Sequence, residues 1–160
     1  MIARHLSSRQ VSRIIYGAII GLALVVALQA HPPPPGAVIA SLLGTAMAVS
    51  LAEIFSELVG FETVRRRHAE PAEVRTVLVD SAAVAIGIGF PAVYFLLEAI
   101  GVLGDDSAFA LARWTGLALL GLYGFVGARL TGSGLAGALV KACGVALIGA
   151  ALIGLKALVH

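Results

Sequence analysis

The stretch AVIASLLGTAMAVSLAEIFSELVG, residues 37–60, decides the fold that the sequence predicts. A helix needs about 20 predominantly apolar residues to cross the hydrocarbon core of a bilayer, and the only charged residues in this stretch are Glu53 and Glu57. A carboxylate at the centre of such a helix costs about 2.5–3.5 kcal/mol on insertion scales. The sequence therefore predicts a membrane-spanning helix whose two acids must be paired, hydrated or used.

The composition of the whole chain is typical of an integral membrane protein. Hydrophobic residues make up 59% and charged residues 12% of its 160 residues, whereas a soluble domain has about 45–50% and about 25%. Mean hydropathy is +1.00. We expect an all-α, polytopic membrane protein with one domain over residues 1–160. The net charge is only +2 and no basic run is interleaved with aromatic residues, so the expected partner is the lipid bilayer and not nucleic acid.

Apolar runs separated by turn signals predict five transmembrane helices. Their approximate bounds are residues 14–30, 37–60, 77–102, 108–128 and 135–159. Gly87, Gly89 and Pro91 predict a kink within the third helix, because glycine and proline loosen or interrupt the hydrogen-bond ladder. Asp106 or Ser107 is expected to cap the fourth helix, since their side chains can accept a hydrogen bond from a free backbone N–H.

The distribution of lysine and arginine predicts the orientation of the helices. The N-terminus, the polar loop at residues 61–76 and the junction of the last two helices place nine of these residues on one side, against two on the other. By the positive-inside rule, the N-terminus is cytoplasmic and the C-terminus lies outside. In a second interpretation, residues 1–30 are a signal peptide cleaved after Ala30, and the other helices keep the same orientation. An Ala- and Gly-rich chain with more Arg than Lys indicates a bacterial inner membrane.

Small residues predict where the helices pack. Gly17 and Gly21 form a GxxxG face on the first helix, and Gly121 and Gly124 lie on a smooth face of the fourth. In membranes, such residues let helix backbones approach closely. We expect the glycine faces to support a homodimer.

Three acids and a serine form the candidate site for a cation or a proton. Glu53 and Glu57 are four residues apart and share one helix face, which Ser50 joins. Asp80 lies near the start of the next helix, which we expect to be antiparallel, so it can lie at a similar depth. Carboxylates are preferred ligands of hard divalent cations, and acids inside membranes commonly mark ion pathways. Glu53 is the deepest of the three and the best candidate metal ligand.

The same acids also have a structural interpretation, and the sequence leaves both open. In the structural interpretation, Glu57 reaches the membrane interface, while Glu53 or Asp80 forms an ion pair with an arginine. The candidate partners are Arg13, Arg75 and Arg129. The two interpretations differ in whether the acids converge on a cavity or each contact an arginine.

The sequence predicts neither an enzyme nor a bound cofactor. It contains no intramembrane His-x₃-His pair, no Ser/His/Asp set and no histidine cluster, since the four histidines lie in flanks, in loops or at the terminus. Cys143 is the only cysteine, so an intrachain disulfide cannot form.

Three local motifs resemble the vacuolar iron transporter (VIT-like) family. Residues 13–22, RIIYGAIIGL, look like that family's first helix, which reads roughly R-x-I-x-G-A-x-D-G-L. Residues 52–56, AEIFS, are similar to the G-E-Y-x-S segment of its second helix, and residues 127–132, GARLTG, are similar to the region before its last helix. The resemblance implies five helices with the N-terminus inside, which agrees with the span pattern.

The resemblance also implies a function and a set of ligands. The family exports Fe²⁺ or Mn²⁺ from the cytosol in exchange for protons, works as a dimer, and binds metal through an acid of helix one and a methionine and a glutamate of helix two. The glutamate corresponds to Glu53, while the other two positions hold Ile20 and Val49. The expected function is therefore a small VIT-like cation transporter, for Fe²⁺ or Mn²⁺ or coupled to protons, or a divergent relative. The alternative is a non-transporting membrane scaffold or accessory subunit with structurally paired acids.

Overall fold

The computed structural model describes residues 8–159, and this part of the chain is all-helical. Its six helices are α1 (Ser8–Leu28), α2 (Pro35–Arg65), α3 (Pro71–Gly89), α4 (Ala92–Ala99), α5 (Asp105–Leu130) and α6 (Leu135–Val159). Within the described residues, α1 over Gln10–Leu28, α2 and α5 are each long and apolar enough to cross a membrane. The predicted all-α class is confirmed, and the apolar helices are consistent with a membrane location.

Over residues 8–159, the number of candidate spans is three, or four when α3 and α4 count as one bent span. The sequence predicts five. The difference lies partly in α6, whose apolar part in the described residues, Leu135–Ala151, is shorter than a span. α2 is instead longer than a bilayer requires, because its 31 residues extend about 46 Å at 1.5 Å per residue.

The third predicted helix, residues 77–102, is two helices in the structure. α3 begins earlier than predicted and ends at Gly89, α4 begins at Ala92, and their axes differ by 47°. Pro91 lies at the break, because proline has no N–H to donate and its ring obstructs the preceding turn. The break thus falls where the glycines and the proline predict a kink.

The polar loop is much shorter than the predicted residues 61–76. α2 continues to Arg65 and ends at Arg66, which takes the left-handed conformation with φ of 52°. α3 begins at Pro71, a residue suited to the first turn because the missing N–H has no helical partner there. Glu70 and Glu73 form a reciprocal capping box at this end. Only residues 66–70 therefore connect the two helices.

Ion pairs order this short connection. The guanidinium of Arg67 donates to both carboxylate oxygens of Glu73, at 3.0 and 2.8 Å. These hydrogen bonds hold the pKa of Arg67 above its usual value. Glu62 accepts a hydrogen bond from the backbone N–H of Ala69 at 3.1 Å. Side chains of both flanking helices thus form hydrogen bonds with residues of the connection.

α5 starts two or three residues earlier than the predicted caps would place it. Gly104 is the N-cap residue and provides no side-chain hydrogen bond, so the expectation that Asp106 or Ser107 caps this helix is wrong. Asp105 and Asp106 lie in the first turn instead, where their charges favour the positive end of the helix dipole.

α1 lies in the middle of the bundle, packed against α3 on one side and against α5 and α6 on the other. The crossing of α1 and α3 depends on glycine. A Cβ on Gly21 would lie 2.9 Å from the carbonyl oxygen of Ile88, and one on Gly17 would overlap the carbonyl oxygen of Val84. A Cβ on Gly87 would lie 2.7 Å from the carbonyl oxygen of Ile14.

The other glycine face packs α5 against α6. A Cβ on Gly124 would lie 3.2 Å from Cβ of Val145, and one on Gly121 would lie 3.9 Å from Cβ of Ala146. Both predicted glycine faces are therefore used within the chain, and a homodimer would need another surface.

The end of the bundle away from the polar connection has an aromatic core. Phe95 of α4 and Phe109 of α5 are fully buried, with ring centroids 4.8 Å apart in an edge-to-face arrangement. Val25, Val38 and Leu42 complete this core and join α1 and α2 to it. The opposite end holds the charged side chains that form the candidate site.

Candidate functional site

The candidate site is an ion-pair triad of Arg13, Glu53 and Glu57, which we call the acid–arginine triad. Nη1 of Arg13 lies 2.8 Å from Oε1 of Glu53, and Nη2 donates to Oε1 of Glu57. One guanidinium of α1 thus bridges two carboxylates of α2. Arginine suits this role, because its planar fork presents two parallel N–H donors to separate oxygens.

The triad is mostly shielded from solvent. The exposed fractions of the side chains are 19% for Arg13, 18% for Glu53 and 26% for Glu57. Oε2 of Glu53 is buried and has no hydrogen-bond partner. A buried polar atom without a partner is costly and is a reason to look for a ligand or a water.

Local sequence explains why these three side chains meet. Residues four apart on a helix project from the same face, so Glu53 and Glu57 present their carboxylates together. Arg13 lies four residues before Gly17, at the end of the glycine crossing that holds α1 against α3. α2 also packs against α3. α3 therefore supports both helices of the triad.

Two open cavities meet at Glu57. One, of about 370 Å³, is lined by residues of α1 and α2: Arg13, Tyr16, Val49, Ala52, Glu53, Ser56 and Glu57. The other, of about 340 Å³, lies between α2 and α3, where Glu57, Glu73 and Asp80 are its acidic lining residues. Glu57 thus lies on both cavities, and the triad lies on the first.

The structure separates the predicted site residues into two groups. Glu53 and Glu57 are in the triad, whereas Asp80 lines the second cavity and is only 4% exposed. Ser50 points to α3, because its hydroxyl donates to the carbonyl oxygen of Ser81 at 3.2 Å. Of the three arginines offered as partners, Arg13 pairs with Glu53, and Arg129 donates to the carbonyl oxygen of Ser133 instead.

The surroundings of Glu53 are poor in further metal ligands. Over residues 8–159, no three or more His, Cys, Asp or Glu side chains are grouped so that they could hold a metal ion. Ile20 and Val49, at the two other positions that the VIT-like resemblance assigns to ligands, pack against the apolar cluster of Ala46, Val84 and Ile88.

Sequence reasoning missed two features of the site. Its structural interpretation placed Glu57 at the interface by itself and paired an arginine only with Glu53 or Asp80, although Arg13 contacts both glutamates at once. It also did not predict the cavity beside Tyr16. The spacing of Arg13 four residues before the GxxxG face is the signal that could have found the triad, because that face fixes which side of α1 meets its neighbours.

Over the part of the chain that the structure describes, fold and site together define a class: an all-helical protein with three or four segments apolar enough to cross a membrane. An arginine of one of these helices is shared by two acids of another. Comparison with known proteins adds no particular relative, since no family model, no curated protein and no solved structure matches this chain.

Proposed function

We propose that this chain is a small membrane transporter of cations, for Fe²⁺ or Mn²⁺ or coupled to protons, and a divergent relative of the VIT-like family. The observation that carries the proposal is a buried, unsatisfied carboxylate oxygen in the acid–arginine triad. Oε2 of Glu53 is buried without a hydrogen-bond partner, and the cavity beside it is open. Acidic residues among apolar helices commonly mark ion pathways. Placing a charged side chain in a membrane costs free energy, and binding an ion there offsets that cost.

The proposed topology follows the sequence analysis. The chain has five spans with a cytoplasmic N-terminus and an external C-terminus, in a bacterial inner membrane, and the bent pair α3 and α4 forms the third span. The protein works as a homodimer, for which the exposed apolar side chains of α2 offer a surface: Met47, Leu51 and Phe55 are 62–74% exposed. A C-terminal reporter that is active only in the cytoplasm would overturn this topology.

The transport proposal is tested in liposomes that contain the purified chain. Uptake of Fe²⁺, Mn²⁺ or protons is followed with an enclosed fluorescent sensor, for the wild type and for Glu53→Gln. We expect uptake by the wild type and its loss in the variant. Glu62→Gln is the matched control, because Glu62 is on the same helix but bonds the polar connection rather than Arg13. Full activity of Glu53→Gln would overturn the role of Glu53.

A second candidate function is a non-transporting scaffold or accessory subunit. It is favoured by one observation: both glutamates of the triad contact the same arginine, so the triad could serve only to join α1 to α2. This candidate predicts no uptake of any of the three cations by the wild type, together with a clear loss of stability in Glu53→Gln. The same liposome series therefore separates the two functions.

A further inference from the structure

α2 is long enough to reach from one headgroup layer of a bilayer to the other. Its 31 residues extend about 46 Å at 1.5 Å per residue. A bilayer is about 40–45 Å thick when its headgroups are included, and about 30 Å of this is hydrocarbon. When the apolar part of α2 crosses the hydrocarbon, its last residue Arg65 and the C-cap residue Arg66 therefore lie among the headgroups of one leaflet.

Large exposed apolar side chains on α2 and α3 end where the arginines begin. On α2, the last of them is Val64, which is 83% exposed and directly precedes Arg65. On α3, they begin at Leu78 and Val79, one turn after Arg75. Arginines at such a boundary lay their apolar stems along apolar surface and keep their charged ends in the polar layer. The connection between α2 and α3 thus has the residue pattern of a membrane interface.

The glutamates of this connection are already engaged with other groups of the connection. Glu73 accepts two hydrogen bonds from Arg67, whose Nη1 also lies 3.3 Å from Oε1 of Glu70. Glu62 accepts a backbone hydrogen bond. Residues 61–76 contain four arginines and three glutamates, and Arg67 alone contacts two of those glutamates. Three arginines therefore remain for other partners.

These three residues, Arg65, Arg66 and Arg75, are exposed. Within residues 8–159, the side chains of Arg66 and Arg75 form no hydrogen bond, ion pair or ring contact. Arg65 lies over the ring of Phe61, with its guanidinium carbon 5.0 Å from the ring centroid, and this contact does not use its N–H groups. A guanidinium presents five N–H donors in a planar fork that fits the oxygens of a carboxylate or a phosphate. Because the nearby carboxylates are engaged, phosphate oxygens are the ligands that suit these three arginines.

We propose that Arg65, Arg66 and Arg75 form a docking surface, which we call the arginine surface, for the phosphate groups of anionic phospholipids. The length of α2 brings the arginine surface to the level of the headgroups, and its positive charge is complementary to theirs. Basic residues next to a membrane-spanning helix attract anionic lipids. This inference concerns a lipid partner and does not depend on transport through the acid–arginine triad.

The experiment measures the lipid selectivity of the full chain in vesicles of phosphatidylcholine. A small amount of spin-labelled phosphatidylglycerol or spin-labelled phosphatidylcholine is added. The motionally restricted part of the electron paramagnetic resonance spectrum then gives the ratio of their association constants. Wild type, Arg66→Gln/Arg75→Gln and Arg66→Lys/Arg75→Lys are compared. Arg113→Gln is the matched control, because it removes an arginine that contacts Gln29 at the other end of the bundle.

We expect the wild type to prefer phosphatidylglycerol and the glutamine double variant to lose most of this preference. One basic residue near an anionic membrane surface contributes about 1 kcal/mol, so the ratio should fall at least about fivefold. The lysine double variant and Arg113→Gln should keep the preference, because both keep the positive charges of the arginine surface. High salt should lower the preference of the wild type, since the Debye length falls from about 10 Å at 0.1 M to about 3 Å at 1 M.

An unchanged ratio in the glutamine double variant would overturn the proposal, as would an equal loss in Arg113→Gln. A loss in the lysine double variant as large as that in the glutamine double variant would attribute the effect to altered folding and would also overturn it. Inorganic phosphate, added at constant ionic strength, should leave the preference unchanged. If it removes the preference, the arginines hold a free anion and not a lipid headgroup. Transport is measured separately, so a failure of the proposed function leaves this test unaffected.

Discussion

The two ends of the bundle each combine an arginine with acidic side chains, but among the side chains that the structure describes only one end shows an ion pair between them. At the triad, Arg13 of α1 contacts Glu53 and Glu57 of α2. At the other end, Arg113 of α5 donates to Oε1 of Gln29 at 3.3 Å and lies over the ring of Trp114, while Oε2 of Glu98 is buried without a hydrogen-bond partner.

The difference shows that the side on which a helix presents a charged residue decides whether that charge meets an opposite one. α1 is fixed by its glycine crossing so that Arg13 faces α2, whereas Arg113 contacts Gln29 just after the C-terminal end of α1. The bend at Pro91 sets the direction of α4, and with it the position of Glu98. Similar residue types near both ends of apolar helices therefore give an ion-pair triad in one place and an unpaired carboxylate oxygen in the other.

The largest expected effect is the loss of stability on Arg13→Gln. Removing one partner of a buried ion pair costs about 3–5 kcal/mol, because the remaining charge is left uncompensated. We expect about 3 kcal/mol here, since the triad side chains are still about a fifth exposed. Arg113→Gln should cost about 1 kcal/mol, the value of one hydrogen bond. The free energies of unfolding are compared by SDS titration in mixed micelles, and equal losses would contradict the contrast between the two ends.

The sequence predicted the class of fold because composition and apolar run length are local properties. The kink near Pro91 could also be predicted, because a proline disrupts the hydrogen bonds of the helix that contains it. The length of the connection after α2 could not be predicted, because residues 61–65 belong to the most polar stretch of the chain yet continue the helix. The side chains of Arg65 and Arg67 pack there over the ring of Phe61. Polarity marks exposure and does not by itself end a helix.

The candidate site was predictable only in part for a related reason. The spacing of Glu53 and Glu57 is local, so their shared face follows from the sequence. The choice of Arg13 as their common partner depends on the crossing of α1 and α3, a contact between residues far apart in the chain. Asp80 illustrates the same limit, because it lines one cavity together with Glu57, whereas the triad lines the other cavity.

An intermediate effect is expected from Gly87→Ala, which tests whether the glycine crossing positions the triad. The new Cβ would lie 2.7 Å from the carbonyl oxygen of Ile14 and 2.8 Å from the backbone N of Ala18, so α1 must move away. Overpacking of this kind costs about 1–3 kcal/mol. Gly44→Ala is the matched control, because nothing lies within 4 Å of its added Cβ and a helical alanine is favoured by about 1 kcal/mol over glycine.

The same variant also has a local readout at the triad. If the crossing positions Arg13, Gly87→Ala should weaken the coupling between Arg13 and Glu53, measured by a double-mutant cycle of Arg13→Gln and Glu53→Gln in both backgrounds. Gly44→Ala should leave that coupling unchanged. An unchanged coupling in Gly87→Ala would show that α2 alone holds the arginine.

The smallest effect is expected from Glu98→Gln, and its sign is opposite. A buried carboxylate oxygen without a partner pays for desolvation and receives no hydrogen bond in return, so replacing the charge by a neutral amide should leave stability unchanged or raise it by up to about 1 kcal/mol. Glu53→Gln should instead lower it by about 1 kcal/mol, because a charged hydrogen bond to Arg13 is replaced by a neutral one. Both variants are measured by the same SDS titration at neutral pH. A loss of stability in Glu98→Gln as large as that in Glu53→Gln would mean that Glu98 is held by an interaction as strong as the triad, and that the two ends differ less than their contacts indicate.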